Sequence, residues 1–394
     1  MAAASTERIP TRLVICVDGT WTNPDGADSY AFGNITNIYR IHSMVKNGRV
    51  FDEKSKKWYF QHSEYYRGIH NLNGWINNHR TAYDGSGPVG VNAMIARLYE
   101  TIASRNLGPE DQLFLFGFSR GAYIVRCLAN ILHYLRLPKA HDDTAQIKES
   151  FSTALSLYKS IRTSGADCPG KIHQYLSGCK REDEMPVLKY VGVFDTVKAF
   201  NDEGLYDIGL VSSVMHYRQA LALHECRRSF EPEPFILSSH PRSCDMQEAW
   251  FAGAHADMGG ATPKDGLSLY PLQWIVHEAR LVGLVLGGFV TQHLQSMTGP
   301  GVTLTDPERI IFPESCGRSS TRQGSEDSKV MMLSNKICVH LWDMRANFRT
   351  RGYELKINRE DGWFFSVVSY VAPERDRPIF NTGTRNLIGW SATG

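Results

Sequence analysis

A serine flanked by two glycines lies where the chain passes from one regular pattern to another. Residues 117–121 read GFSRG; they follow an apolar run at 112–116 (QLFLF) and lead into a helical pattern at 122–135. A nucleophile elbow needs this order of strand, tight turn and helix, and its glycines leave room for neighbouring backbone. The turn would present the Ser119 hydroxyl at a helix start, where the backbone N–H of Arg120 can bind an oxyanion. The alternative is a glycine-rich turn with an incidental serine.

A serine nucleophile needs a base, and in hydrolases with this elbow the histidine comes later in the chain. We favour His255, which follows a short strand-like run at 248–254 and precedes two glycines that let a loop fold closely around it. The competitors are His216, His224 and His240; the first two lie on a helical pattern. A structural, hydrogen-bonded histidine is the other interpretation of His255.

The acid that orients the base is expected at the end of another strand. Asp195 directly follows the run at 187–194 (VLKYVGVF), so it would lie on the rim where parallel sheets place their sites. A turn or helix-capping role is its alternative. Asp257 stands only two residues after His255 and is badly placed to reach back to the second ring nitrogen. We assign Asp257 to the architecture of the loop or to a pairing with Arg120.

A third aspartate follows the first apolar run, at 13–17 (LVICV). Asp18 is therefore a further candidate for the acid. The next two residues, Gly19 and Thr20, could supply a second N–H group to an oxyanion hole. The same loop is equally compatible with a tight structural turn.

The elements that must position these residues alternate along the chain. The runs that end at the candidate residues are short, apolar and closed by turn residues, which is typical of strands buried on both faces of a parallel sheet. Helical patterns at 91–102 and 122–135 lie between them. This alternation predicts an α/β domain with a mainly parallel sheet flanked by helices.

The remaining length is assigned to insertions and an extension. We expect a catalytic domain at 1–290, with insertions at about 138–185 and 205–245 that form a lid or pocket wall. The first insertion is partly helical, and a helical pattern also covers 205–228. Residues 291–394 are expected to be a C-terminal extension packed on that domain, with a flexible loop at about 313–329.

Charge and composition exclude several other classes of protein. The 394 residues include 43 Lys and Arg against 41 Asp and Glu, a net charge of +2 without the basic excess of a nucleic-acid binder. The longest apolar run, at 281–290, is too short to span a bilayer, and the first residues lack a secretory signal. Eight scattered cysteines without a CxxC pair are expected to be reduced thiols. We therefore expect a cytoplasmic protein without an integral membrane segment or a nucleic-acid partner.

No pattern predicts a metal site or a cofactor. The HxD at 255–257 offers two ligands without a third nearby, and no HExxH occurs. The glycines at 84–88 (DGSGP) lack the lysine of a phosphate-binding loop, and no GxGxxG follows a strand. We expect neither a metal nor a cofactor.

Four segments occur in the order LVICVDGTW, LFGFSRGAY, VGVFDTV and WFAGAHADMGG, and the resemblance that they carry runs from about residue 13 to residue 272. With them the sequence resembles the α/β-hydrolase family typified by the catalytic domain of type VI secretion phospholipase effectors. The resemblance implies an α/β-hydrolase-like fold, with Ser119 as nucleophile, His255 as base and Asp195 as the orienting acid. The segment YYRG at 65–68 and the C-terminal extension depart from those effectors.

Three functions follow as hypotheses. The first is a serine hydrolase that cleaves ester bonds of a lipid or another apolar acyl substrate through a Ser-His-Asp triad and an acyl-enzyme. The second is a biosynthetic hydrolase or cyclase that uses the same triad on a small polyketide-like ester or lactone. The third is a binding module of the same fold without catalysis.

Overall fold

A sheet of seven strands organises the fold in this computed structural model, and six of its strands are parallel. Its strand order is β2-β3-β1-β4-β5-β6-β7, with β2 antiparallel at one edge. The strands span Thr11–Val17 (β1), Gly48–Asp52 (β2), Lys57–Tyr66 (β3), Gln112–Phe118 (β4), Val187–Phe194 (β5), His216–Ala222 (β6) and Asp245–Phe251 (β7). A separate antiparallel pair consists of β8 (Val330–Leu333) and β9 (Ile337–His340). The structure describes residues 8–20, 35–69, 88–139, 144–164, 169–198, 208–222, 225, 230, 232–233, 235, 244–251, 253–260, 267–287, 330–333 and 337–340.

Seven α-helices accompany the strands in these ranges. They span Asn37–Met44 (α1), Pro88–Ser104 (α2), Arg120–Leu135 (α3), Thr144–Ser164 (α4), Pro169–Ser177 (α5), His255–Gly259 (α6) and Leu269–Leu281 (α7). None of these helices combines the length and the apolar character needed to cross a bilayer.

The helices cover both faces of the sheet. Successive side chains of a strand point to opposite faces, so β1 divides its apolar residues between two layers. Leu13, Ile15 and Val17 pack in a cluster with α2 and α3, while Val14 and Cys16 pack on the other side with α1 and α7. All five side chains are fully buried, which explains why this strand is a continuous apolar run.

The structure confirms the expected α/β-hydrolase-like fold, a mainly parallel sheet flanked by helices. The run at 187–194 coincides with β5, and the runs at 13–17 and 112–116 lie within β1 and β4. The expected strand at 248–254 overlaps β7, which begins and ends three residues earlier. Both helical patterns also lie within helices, those at 91–102 in α2 and at 122–135 in α3.

The expectation of a helix over 205–228 is wrong, because β6 occupies the middle of that segment. This strand lies between β5 and β7 and carries polar side chains into the interior. Arg218 is buried beside Glu278 and Asp245, and Gln219 donates to Glu248 Oε1 at 2.6 Å. Because buried polar residues interrupt its sequence, β6 does not show the continuous apolar run by which the other buried strands were predicted.

The first insertion is helical as expected, since α4 and α5 lie between 138 and 185. The loop at 313–329 and most of the extension at 291–394 lie outside the described residues. The β8–β9 pair falls within that extension, and its packing on the catalytic domain stays a prediction.

Candidate active site

Ser119 occupies a strained turn between β4 and α3. Its backbone has φ 57° and ψ −123°, in the left-handed half of conformational space that a residue with a side chain rarely adopts. The turn is held in place by a hydrogen bond from the Ser119 N–H to the carbonyl of Phe194, 3.0 Å away at the end of β5. This conformation projects the hydroxyl at the start of the helix, as a nucleophile elbow requires.

The two glycines of the GFSRG motif are needed because backbone surrounds them closely. A Cβ atom at Gly117 would lie 2.6 Å from the Cα atom of Ala122 in the following helix. A Cβ atom at Gly121 would overlap the carbonyl oxygens of Val17 and Asp18 at the end of β1. The motif therefore locks β4, α3 and β1 together around Ser119.

Three side chains from distant parts of the chain form one hydrogen-bonded row. The Nε2 atom of His255 lies 2.9 Å from Ser119 Oγ, and its Nδ1 atom lies 2.7 Å from Asp195 Oδ2. Because a carboxylate only accepts hydrogen bonds, Nδ1 carries the ring proton and Nε2 accepts from the Ser119 hydroxyl. All three residues are buried, with 6%, 5% and 1% of Ser119, His255 and Asp195 exposed.

Asp195 is held by the strand next to its own. Its backbone has φ 42°, and its N–H donates to the carbonyl of Ala220 at 2.7 Å. The carboxylate oxygen that does not face His255, Oδ1, accepts the N–H of Ala222 at 3.0 Å. The missed strand β6 therefore fixes the direction in which this carboxylate points.

His255 is the first residue of the short helix α6, and two aromatic rings enclose its imidazole. The ring of Phe118 lies 4.7 Å away at an interplanar angle of 30°, and that of Phe230 lies 4.9 Å away at 67°. The backbone N–H of His255 donates to Glu225 Oε2 at 3.2 Å. Glu225 and Phe230 both come from the second insertion, and no pattern in the sequence singled them out.

The other candidate bases and acids lie elsewhere. His216 is on β6, and its Nδ1 contacts Asp245 Oδ2 at 3.0 Å. His224 and His240 lie outside the described residues. Asp257 shapes the loop at His255, as expected, because its Oδ2 atom accepts the N–H of Ala254 at 2.8 Å.

Asp18 lies on the β1 side of the elbow, and its carboxylate faces a different set of donors. It accepts the hydroxyls of Thr36 and Tyr65, each at 2.6 Å, and the N–H of Gly19 at 2.7 Å. Nδ1 of His255 therefore lies beside the carboxylate of Asp195 and not beside that of Asp18. The N–H of Gly19, which we expected to face an oxyanion, donates to Asp18 in this structure. Thr20 and Arg120 remain as candidate donors.

Burial also determines which groups near the site can ionise. Burial, followed by the charge of Asp18, raises the pKa of Tyr65, so this phenol keeps its proton and donates to Asp18. Burial likewise raises the pKa of the Cys16 thiol in β1 far above its ordinary value. A buried thiol in its neutral form is a poor nucleophile, so Cys16 does not compete with Ser119.

Within the described part of the chain, no group of three or more His, Cys, Asp or Glu side chains is placed to hold a metal ion.

The fold and this geometry define an α/β-hydrolase-like protein. The chain belongs to the family of the Tle1-like catalytic domain of type VI secretion phospholipase effectors, whose model matches residues 11–278, more than half of the 394 residues. The match includes every residue of the hydrogen-bonded row.

Two solved structures are also similar to this chain. One is a structure of the Tle1 effector bound to the VgrG spike from the type VI secretion system, with 19% identity and a TM-score of 0.38 over 64% of this chain and 51% of that one. The other is an uncharacterized protein from Pseudomonas aeruginosa, with 15% identity and a TM-score of 0.39 over 76% of this chain and 48% of that one. The chain therefore spans about half the length of each. No curated protein matches it.

Proposed function

We propose that the chain is a serine hydrolase that cleaves ester bonds in a lipid or another apolar acyl substrate. The observation that carries the proposal is the unbroken row of hydrogen bonds from Ser119 through His255 to Asp195, with the serine on a strained elbow. Serine is a weak nucleophile by itself, and a neighbouring base oriented by a carboxylate is what activates it. The family, named for phospholipase effectors, supports the choice of a lipid ester.

The proposed reaction is acyl transfer in two stages. Ser119 Oγ attacks the ester carbonyl while Nε2 of His255 removes its proton, and Asp195 stabilises the imidazolium that forms. The imidazolium then gives that proton to the leaving alcohol, which leaves an acyl group on Ser119. Water, deprotonated by the same nitrogen, attacks the acyl-enzyme and restores the serine.

The negative charge that develops on the carbonyl oxygen needs donors on the other side of the elbow. We assign this role to the backbone N–H groups of Arg120, at the first position of α3, and Thr20, in the loop after β1. A helix start favours negative charge, and each such donor is worth about 10²–10³ in kcat.

The second insertion, 205–245, is proposed to form part of the wall of the substrate pocket. Phe230 packs against the imidazole of His255, and Phe118 covers another side of the ring. Apolar side chains next to the reacting groups suit the acyl chain of a substrate.

A fluorophosphonate probe tests the serine chemistry. We expect the wild-type protein to be labelled and Ser119→Ala to lose all labelling, because the probe traps an activated serine. Ser104→Ala is the matched control, since its hydroxyl donates to a carbonyl of α2 on the surface and should leave labelling unchanged. Absence of labelling in the wild type would reject the catalytic proposal in favour of a binding module.

The nature of the substrate is tested by comparing two forms of ester. We expect release of fatty acid from phospholipid vesicles as well as hydrolysis of soluble p-nitrophenyl esters, both dependent on Ser119. Turnover of the soluble esters without any action on vesicles would reject the phospholipase and favour the small-molecule hydrolase or cyclase.

We retain the cytoplasmic location as a separate proposal. Among the described residues, Cys16, Cys179 and Cys244 are buried free thiols, which supports folding in a reducing compartment. Detection of the protein in the culture medium of the producing cell, in place of its cytoplasmic fraction, would contradict this location.

A further inference from the structure

We infer that Asp18, Tyr65 and Gly68 are positioning residues that orient the Gly19–Thr20 peptide so that the Thr20 N–H faces the oxyanion. This inference rests on the proposed function and adds a role for the YYRG segment at 65–68. The segment continues from the end of β3 and lies beside the end of β1, through a hydrogen bond of 2.9 Å from Asp18 N–H to the carbonyl of Tyr66.

Asp18 is buried at the end of β1, with 1% of the residue exposed. Its Oδ1 atom accepts the N–H of Gly19 at 2.7 Å, and its Oδ2 atom accepts the hydroxyls of Tyr65 and Thr36. Two hydroxyl donors at 2.6 Å hold the carboxylate in one rotamer. Because the Gly19 N–H is bonded to this carboxylate, the orientation of the loop depends on the hydroxyl of Tyr65 in β3.

Gly68 closely approaches the Gly19–Thr20 peptide. A Cβ atom at Gly68 would overlap the carbonyl of Gly19 and lie 3.1 Å from the Thr20 nitrogen. On another side, a Cβ atom at Gly19 would lie 2.6 Å from the ring of Phe118, the residue before the nucleophile. The Gly19–Thr20 peptide is therefore confined between Gly68 and the elbow, with its C=O group against Gly68.

Backbone and side-chain contacts of α1 link this loop to the segment that carries His255. Thr36, which donates to Asp18, is the N-cap of α1 and forms a bridge with Gly260 at the end of α6. The neighbouring Asn37 donates from Nδ2 to the carbonyls of Met258 and Ser268 at 2.8 and 2.7 Å. One buried carboxylate thus ties the proposed oxyanion loop to the segment that carries the base.

An experiment on two variants tests this role. Gly68→Ala displaces the Gly19–Thr20 peptide and should lower kcat by about 10²-fold, the effect of losing one oxyanion donor. Tyr65→Phe removes one of the two hydroxyls that hold Asp18 and should lower kcat about 10-fold, as for a lost hydrogen bond to a charged group. Both changes should leave KM unaltered, because the donor acts on the transition state.

The readout that separates positioning from general damage is a transition-state analogue. A trifluoromethyl ketone forms a tetrahedral adduct with an activated serine, so its Ki should rise by the same factor by which kcat/KM on a p-nitrophenyl ester falls. Tyr66→Phe is the control for Tyr65→Phe, because the Tyr66 hydroxyl contacts Glu64 and Thr101 and not Asp18. Gly170→Ala is the control for Gly68→Ala, since no atom outside its own helix backbone and chain neighbours lies within 4 Å of its Cβ position.

Each outcome decides the question. Parallel losses in kcat/KM and ketone affinity in both variants, with both controls normal, support the inference. Wild-type kcat in Tyr65→Phe, or a loss of kcat without the matching rise in Ki, overturns it; if Gly68→Ala does not fold, Tyr65→Phe decides alone. If the fluorophosphonate probe does not label the wild type, the proposed function itself is overturned. If the wild type is labelled normally and both variants keep the wild-type kcat, only the positioning role is overturned.

Discussion

At the scale of single residues, the site depends on which nitrogen of His255 carries the proton. The carboxylate of Asp195 faces Nδ1 at 2.7 Å, and its second oxygen accepts the Ala222 N–H at 3.0 Å. Both neighbours are donors, so the position demands a group that accepts on both sides. An ionised carboxylate meets this demand, and an amide does not.

Asp195→Asn is therefore expected to reverse the tautomer. The amide oxygen will accept the Ala222 N–H, which turns the NH₂ group towards His255 and leaves Nδ1 as an acceptor. The ring proton then moves to Nε2. Because a protonated Nε2 cannot accept the proton of Ser119, kcat should fall by about 10⁴. Steady-state hydrolysis of a p-nitrophenyl ester measures the loss. Asp183→Asn, on an exposed aspartate paired with Arg181, is the control; full activity in Asp195→Asn would show that another group orients the base.

At the scale of elements, the site is built from the ends of β1, β4 and β5 and the starts of two helices. Strands buried on both faces are continuous apolar runs, so β1, β4 and β5 and the residues that follow them could be predicted from the sequence. The missed strand β6 is different, because Arg218 and Gln219 point inward to partners on other elements. The partners of Asp18 and the rings around His255 likewise arise from tertiary contacts that no local pattern encodes.

Gly121 is where α3 packs directly against the end of β1, and Gly121→Ala is expected to damage both fold and activity. Its new methyl group would overlap two carbonyl oxygens at the end of β1, so α3 or β1 must shift. Such overpacking costs about 1–3 kcal/mol of the free energy of unfolding, and the shift moves Ser119 away from His255.

Denaturant unfolding together with fluorophosphonate labelling measures the two effects of Gly121→Ala. At Gly108 the nearest atoms to a Cβ position lie 3.8 Å away, so Gly108→Ala is the matched control and should retain both stability and labelling. A Gly121→Ala protein with normal stability and normal labelling would refute the close packing at the elbow.

At the scale of the whole molecule, the two ends of the sheet hold different polar groups. The carboxyl ends of the parallel strands hold the row of Ser119, His255 and Asp195. The start of β1 holds Arg12, which is fully buried and donates to Asp52 Oδ2 at 2.8 Å, with its guanidinium 4.1 Å from the ring of Tyr59. It also donates to the carbonyl of Gly283, just beyond α7. This cluster ties β2, at the edge of the sheet, to the segment after α7. At roughly 3.3 Å per residue along β1, Arg12 lies about 16 Å from Val17 at the other end of the strand.

Asp52→Ala is expected to lower stability without slowing catalysis by the molecules that remain folded. It leaves the Arg12 charge buried without its partner, which typically costs about 3–5 kcal/mol.

The stabilisation by Asp52 should also depend on pH. Burial alone would raise the pKa of Asp52, but the Lys54 N–H and the Arg12 guanidinium outweigh it and hold that pKa below its ordinary value. The stabilisation by this carboxylate is therefore present above the ordinary aspartate pKa of about 4 and is lost as pH falls below it. The difference in unfolding free energy between wild type and Asp52→Ala should be largest near neutral pH and shrink towards pH of about 3. A difference that stays constant with pH would show that the lost contact is not ionic, and a kcat per folded molecule below the wild-type value would show that the two ends of the sheet are coupled.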